Sequence, residues 1–349
     1  MDPDFTYEHW MTIKRMLPFL LDPKGSLSSM DTACKLLERG HIWLPMAATK
    51  VHKSTFKRQR IAREELNLPP AFFLISTKGV IVVDCPPTIG HKMLYAIGNI
   101  TSIPITHLLY SHSHADHIGG VWIFGKDVKT IAHVDTALHL SLTPDPTRPP
   151  PKITFKKDYK LCVGNQTLEL SYKGENHITG NIFIFAPIQK VLILIDVVFP
   201  GWTPFANLGE TKSLPGFINA HDQILEYDFD HYIGGHLGRS GNRTDVLIQQ
   251  EYVNDLFTNC QAAINLSATD DPVFGAAAVN GPVSEKNPGN MWAVFKNYLD
   301  TLAEECANRT NEKWLGRLAA ADVFQFENAG LVVESLRIDY SVLGPFLTS

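Results

Sequence analysis

Three histidines and an aspartate fall within residues 112–117, in the segment Ser111-His-Ser-His-Ala-Asp-His-Ile-Gly-Gly120. The run THLLYS ahead of it reads as a short buried strand, so the chain enters the segment extended. Residues two apart on an extended chain point the same way, so His112 and His114 can reach one metal ion. Asp116 and His117 follow at a turn into a helix and are aimed at a second ion alongside. Gly119 and Gly120 let the backbone fold tightly there. Imidazole and carboxylate donors suit zinc and leave iron and manganese open.

The surrounding elements must hold this segment rigidly. The runs AFFLIS and GVIVVD, split by the Lys78-Gly79 turn, read as a hairpin of buried strands. His91 to Ile100 fits a helix that stops near Pro104. Residues 117–126 suit a helix start, and VKTIAHV another strand. Pro144, Pro146 and the run 149–151 make residues 143–152 a loop or lid base. Strands return at KLCVG, TLELSY, NIFIFAP and KVLILID. Strands alternating with helices indicate an α/β layered fold. From about residue 245 the pattern is mostly helical. Trp292, Phe295, Tyr298, Leu299, Leu302 and Cys306 fall at helical spacing and read as a stripe packed on the core. The tail GLVVESLRIDY reads as a last strand. Residues 1–50 look helical and irregular, with apolar patches at Leu17, Phe19, Leu20 and Leu21, and at Leu36 and Leu37.

The bulk numbers narrow the function. A chain of 349 residues with 44% apolar residues can bury a large core. Its net charge of −5 gives no electrostatic reason to bind nucleic acid or an anionic membrane. No apolar run is long enough to cross a bilayer. The start MDPDFTYEHW has acids where a signal peptide has bases, so a cytoplasmic location is expected. The five cysteines are dispersed with no CxxC pair and read as reduced and mostly buried. Cys85 reads as a core residue. The partners expected are a small-molecule substrate and, through the terminal apolar patches, a second copy in a homodimer.

The segment HSHADH resembles the HxHxDH signature of the metallo-β-lactamase superfamily. That family has three further ligands downstream. Glu175-Asn-His177-Ile-Thr-Gly-Asn181 resembles its third-histidine turn. Leu192-Ile-Leu-Ile-Asp196 resembles the strand that ends in a bridging aspartate, and Ile233-Gly-Gly-His236 its final Gly-His turn. The resemblance covers about residues 70–240. It implies a four-layer αββα sandwich, and the ends lie outside it: the residues themselves read as an N-terminal helical extension over 1–50, a core over 51–245 and a mostly helical C-terminal part over 246–349 packed on the core. It implies two zinc ions. His112, His114 and His177 would hold one, Asp116, His117 and His236 the other, with Asp196 between them. Asp84, ending GVIVVD, matches an aspartate of the family that orients a ligand histidine by accepting its free N–H.

The same resemblance implies a metal-bridging hydroxide that attacks a carbonyl, with Asp116 passing on the proton. No G-x-S-x-G elbow is present, and none is needed. The leading expectation is a lactonase or lactamase that opens a small cyclic ester or amide. Quorum-quenching lactonases carry tyrosine three residues past the bridging aspartate; Phe199 stands there, which is closer to the thioesterase pattern. A thioesterase for acyl-glutathione or acyl-carrier substrates is therefore a second expectation. An iron-dependent persulfide dioxygenase is a third, of another class. Phe199, Trp202 and Phe205 are expected near the substrate because the aromatic stretch follows Asp196 directly, and His221 because it follows a loop that could approach the site.

Overall fold

The computed structural model describes residues 72–236 and 239–346. The expected N-terminal extension lies outside the described residues. Contacts divide the chain into two compact units. One holds 72–196 and 225–243, the other 197–224 and 244–346. Residues 197–224 thus group with the C-terminal helices, although they fall inside the expected core range.

The first unit holds both sheets. Strands β1 (Phe72–Ser76) and β2 (Gly79–Val83) form the antiparallel hairpin, with Ser76 opposite Gly79. A side chain at Gly79 would collide with Thr106, since a Cβ there would lie 2.1 Å from its Oγ1. Helix α1 (Gly90–Ile100) crosses to β3 (Ile105–Leu109), which runs parallel to β2. The expected helix at 117–126 is instead a single turn, α2 (Ala115–Ile118), and a 3₁₀ turn at Val121–Phe124. The glycines at 119 and 120 divide them. Then come β4 (Lys129–His133), α3 (Val134–Leu142) and β5 (Ile153–Phe155). Sheet order is β1-β2-β3-β4-β5.

The second sheet is built from β6 (Asp158–Val163), β7 (Gln166–Ser171), β8 (Phe183–Ala186), β9 (Val191–Ile193) and β10 (His231–Ile233). Its order is β10-β9-β8-β7-β6, with β10 parallel to β9. KVLILID is expected to be a strand throughout, but pairing stops at Ile193, so Asp196 sits on a turn.

Alternation places one face of each sheet in a shared core. Leu74, Ile81, Leu109 and Ile131 from the first sheet pack with Leu161, Leu168, Leu170, Ile184 and Ile193 from the second. Each such side chain, fully buried, contributes about 1.5–3 kcal/mol. The other face of the first sheet, with Val80, Val82 and Leu108, packs on Met93 and Ile97 of α1. The mixed α/β class and the face-to-face sheets are as expected.

The second unit is helical: α4 (Leu214–Leu225), α5 (Arg243–Ser267), α6 (Ala276–Lys286), α7 (Met291–Trp314) and α8 (Ala321–Ile338). The expected final strand GLVVESLRIDY is wrong: all but its last two residues belong to α8. Gln325, Ala329, Val332, Val333 and Leu336 are buried at helical spacing, and that packing overrides the β-branched composition. In the α7 stripe Tyr298, Leu302 and Cys306 are buried, but Trp292 is 81% exposed at the helix start.

The cysteines also depart from the reduced reading. Cys260 of α5 and Cys306 of α7 form a disulfide, while Cys85 is a free buried thiol. Their sequence spacing gives no hint that two helices bring them together. Among the described residues no helix is long and apolar enough to cross a membrane.

Candidate metal centre

The donor residues arrive on loops that leave strand ends. Strand β3 ends at Leu109, the chain bends over Ser111–Ser113 rather than staying extended, and His114 caps α2 with φ −67° and ψ 141°. Asp116 and His117 lie on the single turn that follows. His177 lies on the β7–β8 connection, Asp196 just past β9 and His236 just past β10. Asp84, Asp196 and His236 all have φ near +60°, at 57°, 61° and 57°. Asp and His reach this left-handed region more readily than most residues, and such conformations persist where the surroundings enforce them.

Seven side chains converge as two groups. Ligand atoms of His112, His114, His177 and Asp196 lie within 4.8 Å of one another, and so do those of Asp116, His117 and His236. His177 Nε2 faces His114 Nδ1 at 3.0 Å, and His117 Nε2 faces His236 Nε2 at 3.2 Å. Asp196 touches both groups. Its Oδ2 lies 2.8 Å from His117 Nε2 and 3.6 Å from both His112 Nε2 and His177 Nε2. Its Oδ1 lies 3.3 Å from His236 Nε2. Asp116 Oδ2 is 3.4 Å from both His117 and His236, and its side chain is 51% exposed. The centre is therefore open to water on the Asp116 side and closed around Asp196.

The donor set fits a divalent cation. His112 Nε2 is buried without a hydrogen-bond partner and is directed at the Asp196 carboxylate. Its other ring nitrogen, Nδ1, is held by Ser111 Oγ at 2.9 Å, which leaves Nε2 for a ligand. Burial pushes His112 well below its ordinary range, despite the Asp196 carboxylate nearby. Burial likewise takes His177 down to about 3. Neutral imidazole is the form that binds metal. His117 goes the other way: burial opposes its charge, but Asp196, Asp116 and Asp84 push it up to about 9. Asp196 itself is held well below the carboxylate range; burial works against this, and His117 and His236 outweigh it.

Asp84 is wholly buried behind this cluster. Its Oδ1 accepts the backbone N–H of Ser111 at 2.8 Å rather than the expected histidine N–H, which ties the end of β2 to the residue before His112. Burial raises it to about 6, against the opposing pull of His117. Sequence reasoning missed Ser111, whose only signal is its position beside the first histidine.

The sequence profile of the metallo-beta-lactamase superfamily matches residues 68–241, the stretch that carries every one of these donors. This part of the chain belongs to the metallo-beta-lactamase superfamily. Members of that superfamily are in general metal-dependent hydrolytic enzymes. One curated relative is the 2,4-dinitroanisole O-demethylase subunit alpha of Nocardioides sp. (strain JS1661), 29% identical over 142 residues. The match takes in 40% of this chain and spans 43% of the relative's length. Among solved structures, the metallo-beta-lactamase from Pontibacter korlensis is similar at 20% identity and a TM-score of 0.48, over 59% of this chain and 97% of that one. TMB-1 is similar at 20% identity and a TM-score of 0.45, over 53% and 85%.

The four residues expected near a substrate all lie in the second unit. Phe199 is buried, edge-on to Phe205, and its N–H donates to Gln249 Oε1 at 2.7 Å. Trp202 is half-buried and bridges to Ala319. His221 is buried; its Nδ1 pairs with the Phe217 carbonyl at 2.9 Å and its Nε2 with Gln249 Nε2 at 3.3 Å.

Proposed function

We propose that this superfamily member is a two-zinc hydrolase that opens a small cyclic ester or amide of lactone or lactam type. The observation that carries the reading is the position of Asp196. One carboxylate meets the histidines of both donor groups, as a residue shared by two cations must. The donors are imidazole and carboxylate with no thiolate, a set that zinc accepts readily. When bound, two such ions supply hydroxide at neutral pH by lowering the pKa of water from about 15.7 toward about 7. Asp116 is the half-exposed carboxylate of the centre, placed to take a proton and release it to solvent. The buried Asp84 and the Ser111 hydroxyl keep the donor loop and His112 in register.

A second reading, thioester hydrolysis, is favoured by Phe199. A phenylalanine there offers no hydroxyl to polarise a lactone carbonyl.

The test is elemental analysis of the purified protein with a panel of lactones, lactams and thioesters. The name of the Nocardioides relative adds a nitroaryl methyl ether to that panel. About two zinc ions per chain with lactone or lactam turnover supports the proposal. His112→Ala and Asp196→Ala should each lose most hydrolysis and at least one metal. One iron per chain, no hydrolysis, and oxygen uptake with a persulfide would move the protein to the oxidoreductases.

A further inference from the structure

We propose that Asn181 is a positioning residue that locks the His177 loop to the Asp196 turn and so sets the first donor group. The proposal rests on the metal-centre reading above and deepens it.

Asn181 is fully buried in the β7–β8 connection, four residues after His177. Its carboxamide nitrogen donates twice. One hydrogen goes to Asn176 Oδ1 at 2.8 Å, the other to the Ile195 carbonyl at 2.8 Å. Asn176 Oδ1 also accepts the His177 backbone N–H at 2.6 Å. Asn176 directly precedes His177, and Ile195 directly precedes Asp196. A single side chain therefore grips the residue before each of two donors that come from separate strand ends. Both partners are acceptors, so the nitrogen, not the oxygen, must face them.

Local structure delivers the side chain. The Asn181 N–H closes a turn on the Ile178 carbonyl at 3.2 Å. Gly180 has φ 88°, and a Cβ there would meet Thr136 Oγ1 at 2.6 Å, so glycine is needed for the turn to pack.

No other side chain reproduces the grip. Aspartate has the same shape but no hydrogens to donate. Serine has one donor for two acceptors. Glutamine is a methylene longer at a fully buried position. The bonds are ordinary ones, but partners that orient donors typically govern metal affinity by roughly 10- to 100-fold.

The experiment compares wild type, Asn181→Asp and Asn181→Ser. Zinc affinity is measured by competition with a chromophoric chelator, the cobalt(II)-loaded visible spectrum is recorded, and thermal unfolding is followed on metal-free protein. The expected result has three parts. Wild type binds two equivalents. Both variants unfold cooperatively when metal-free. Each then binds one equivalent roughly 10- to 100-fold more weakly, with an altered cobalt band and the serine variant milder. A merely structural role would lower the unfolding temperature and leave the cobalt band alone. Two equivalents bound with wild-type affinity and spectrum in both variants would overturn the proposal and leave the metal-centre reading intact. Failure of both variants to fold without metal would make Asn181 a general core residue and also overturn it. A wild type that binds no metal would remove the metal-centre reading and this proposal together.

Discussion

Gly235 backs directly onto the carboxylate of Asp196: a Cβ at Gly235 would stand 1.7 Å from Asp196 Oδ1. The residue before His236 must therefore be glycine for Asp196 to lie where both donor groups meet it. Any side chain there forces the carboxylate to turn or β10 to shift. Gly235→Ala is expected to cost about 1–3 kcal/mol through overpacking. It should also weaken metal binding by roughly 10- to 100-fold, as displaced donor supports do. Chelator competition on the purified variant checks this; wild-type affinity would show that the carboxylate can move without consequence.

Asp84 separates two contributions to stability. With φ 57°, its backbone suits Asp or Asn better than alanine, and its Oδ1 satisfies the buried Ser111 N–H. Asp84→Ala loses both and should destabilise the metal-free protein by about 2–4 kcal/mol. Asp84→Asn keeps the conformational preference and an acceptor oxygen, so it should cost less than half as much. Urea unfolding of both variants measures the difference, and equal losses would refute this division.

Acid sensitivity should trace in part to His221. Burial takes its pKa down to about 4, against an ordinary value of 6.5, and hydrogen bonds to the Phe217 and Ile218 backbone only partly offset this. The unfolded chain therefore binds a proton that the fold does not, between those two values. Stability is undiminished above about pH 7 and falls as pH drops from about 6.5 to about 4, by at most about 3 kcal/mol. His221→Gln does not titrate, so its stability should fall less steeply over that window. Denaturation curves at pH 7 and pH 5 for both proteins decide it; parallel losses would assign the sensitivity elsewhere.

The Cys260–Cys306 bond closes a loop of sequence separation 46 between α5 and α7. A cross-link of that span is worth about 2–4 kcal/mol. Protein kept under reductant, and Cys306→Ser, should both melt lower than the oxidised form. Mass mapping of unreduced peptides should find residues 260 and 306 joined. Two free thiols at these positions would restore the reduced reading.

Much of the first sheet is legible in the chain because its signals are local. Alternating apolar runs around Lys78-Gly79 specify a hairpin, and the helix over 90–100 follows from its apolar spacing and the proline beyond. The final segment misled because its β-branched residues Val332, Val333 and Ile338 favour a strand. Its neighbours in the second unit instead bury a helical stripe that runs from Gln325 to Leu336.

The sequence by itself put His112, His114, Asp116 and His117 within six consecutive residues at the end of a strand, close enough for any tight turn to gather them. It also placed His177, Asp196 and His236 in an order that could be matched to a known pattern. Only the tertiary structure decided their distances. The loops that follow β3, β7, β9 and β10, far apart in the chain, meet at one cluster of donors, and no local periodicity encodes that meeting. Nor does spacing reveal that Gly235 must yield its side-chain volume to Asp196, that Asn181 grips two donor loops, or that Cys260 meets Cys306. Each depends on backbone segments approaching through space, and that approach is fixed by how the sheets and helices bury their apolar faces.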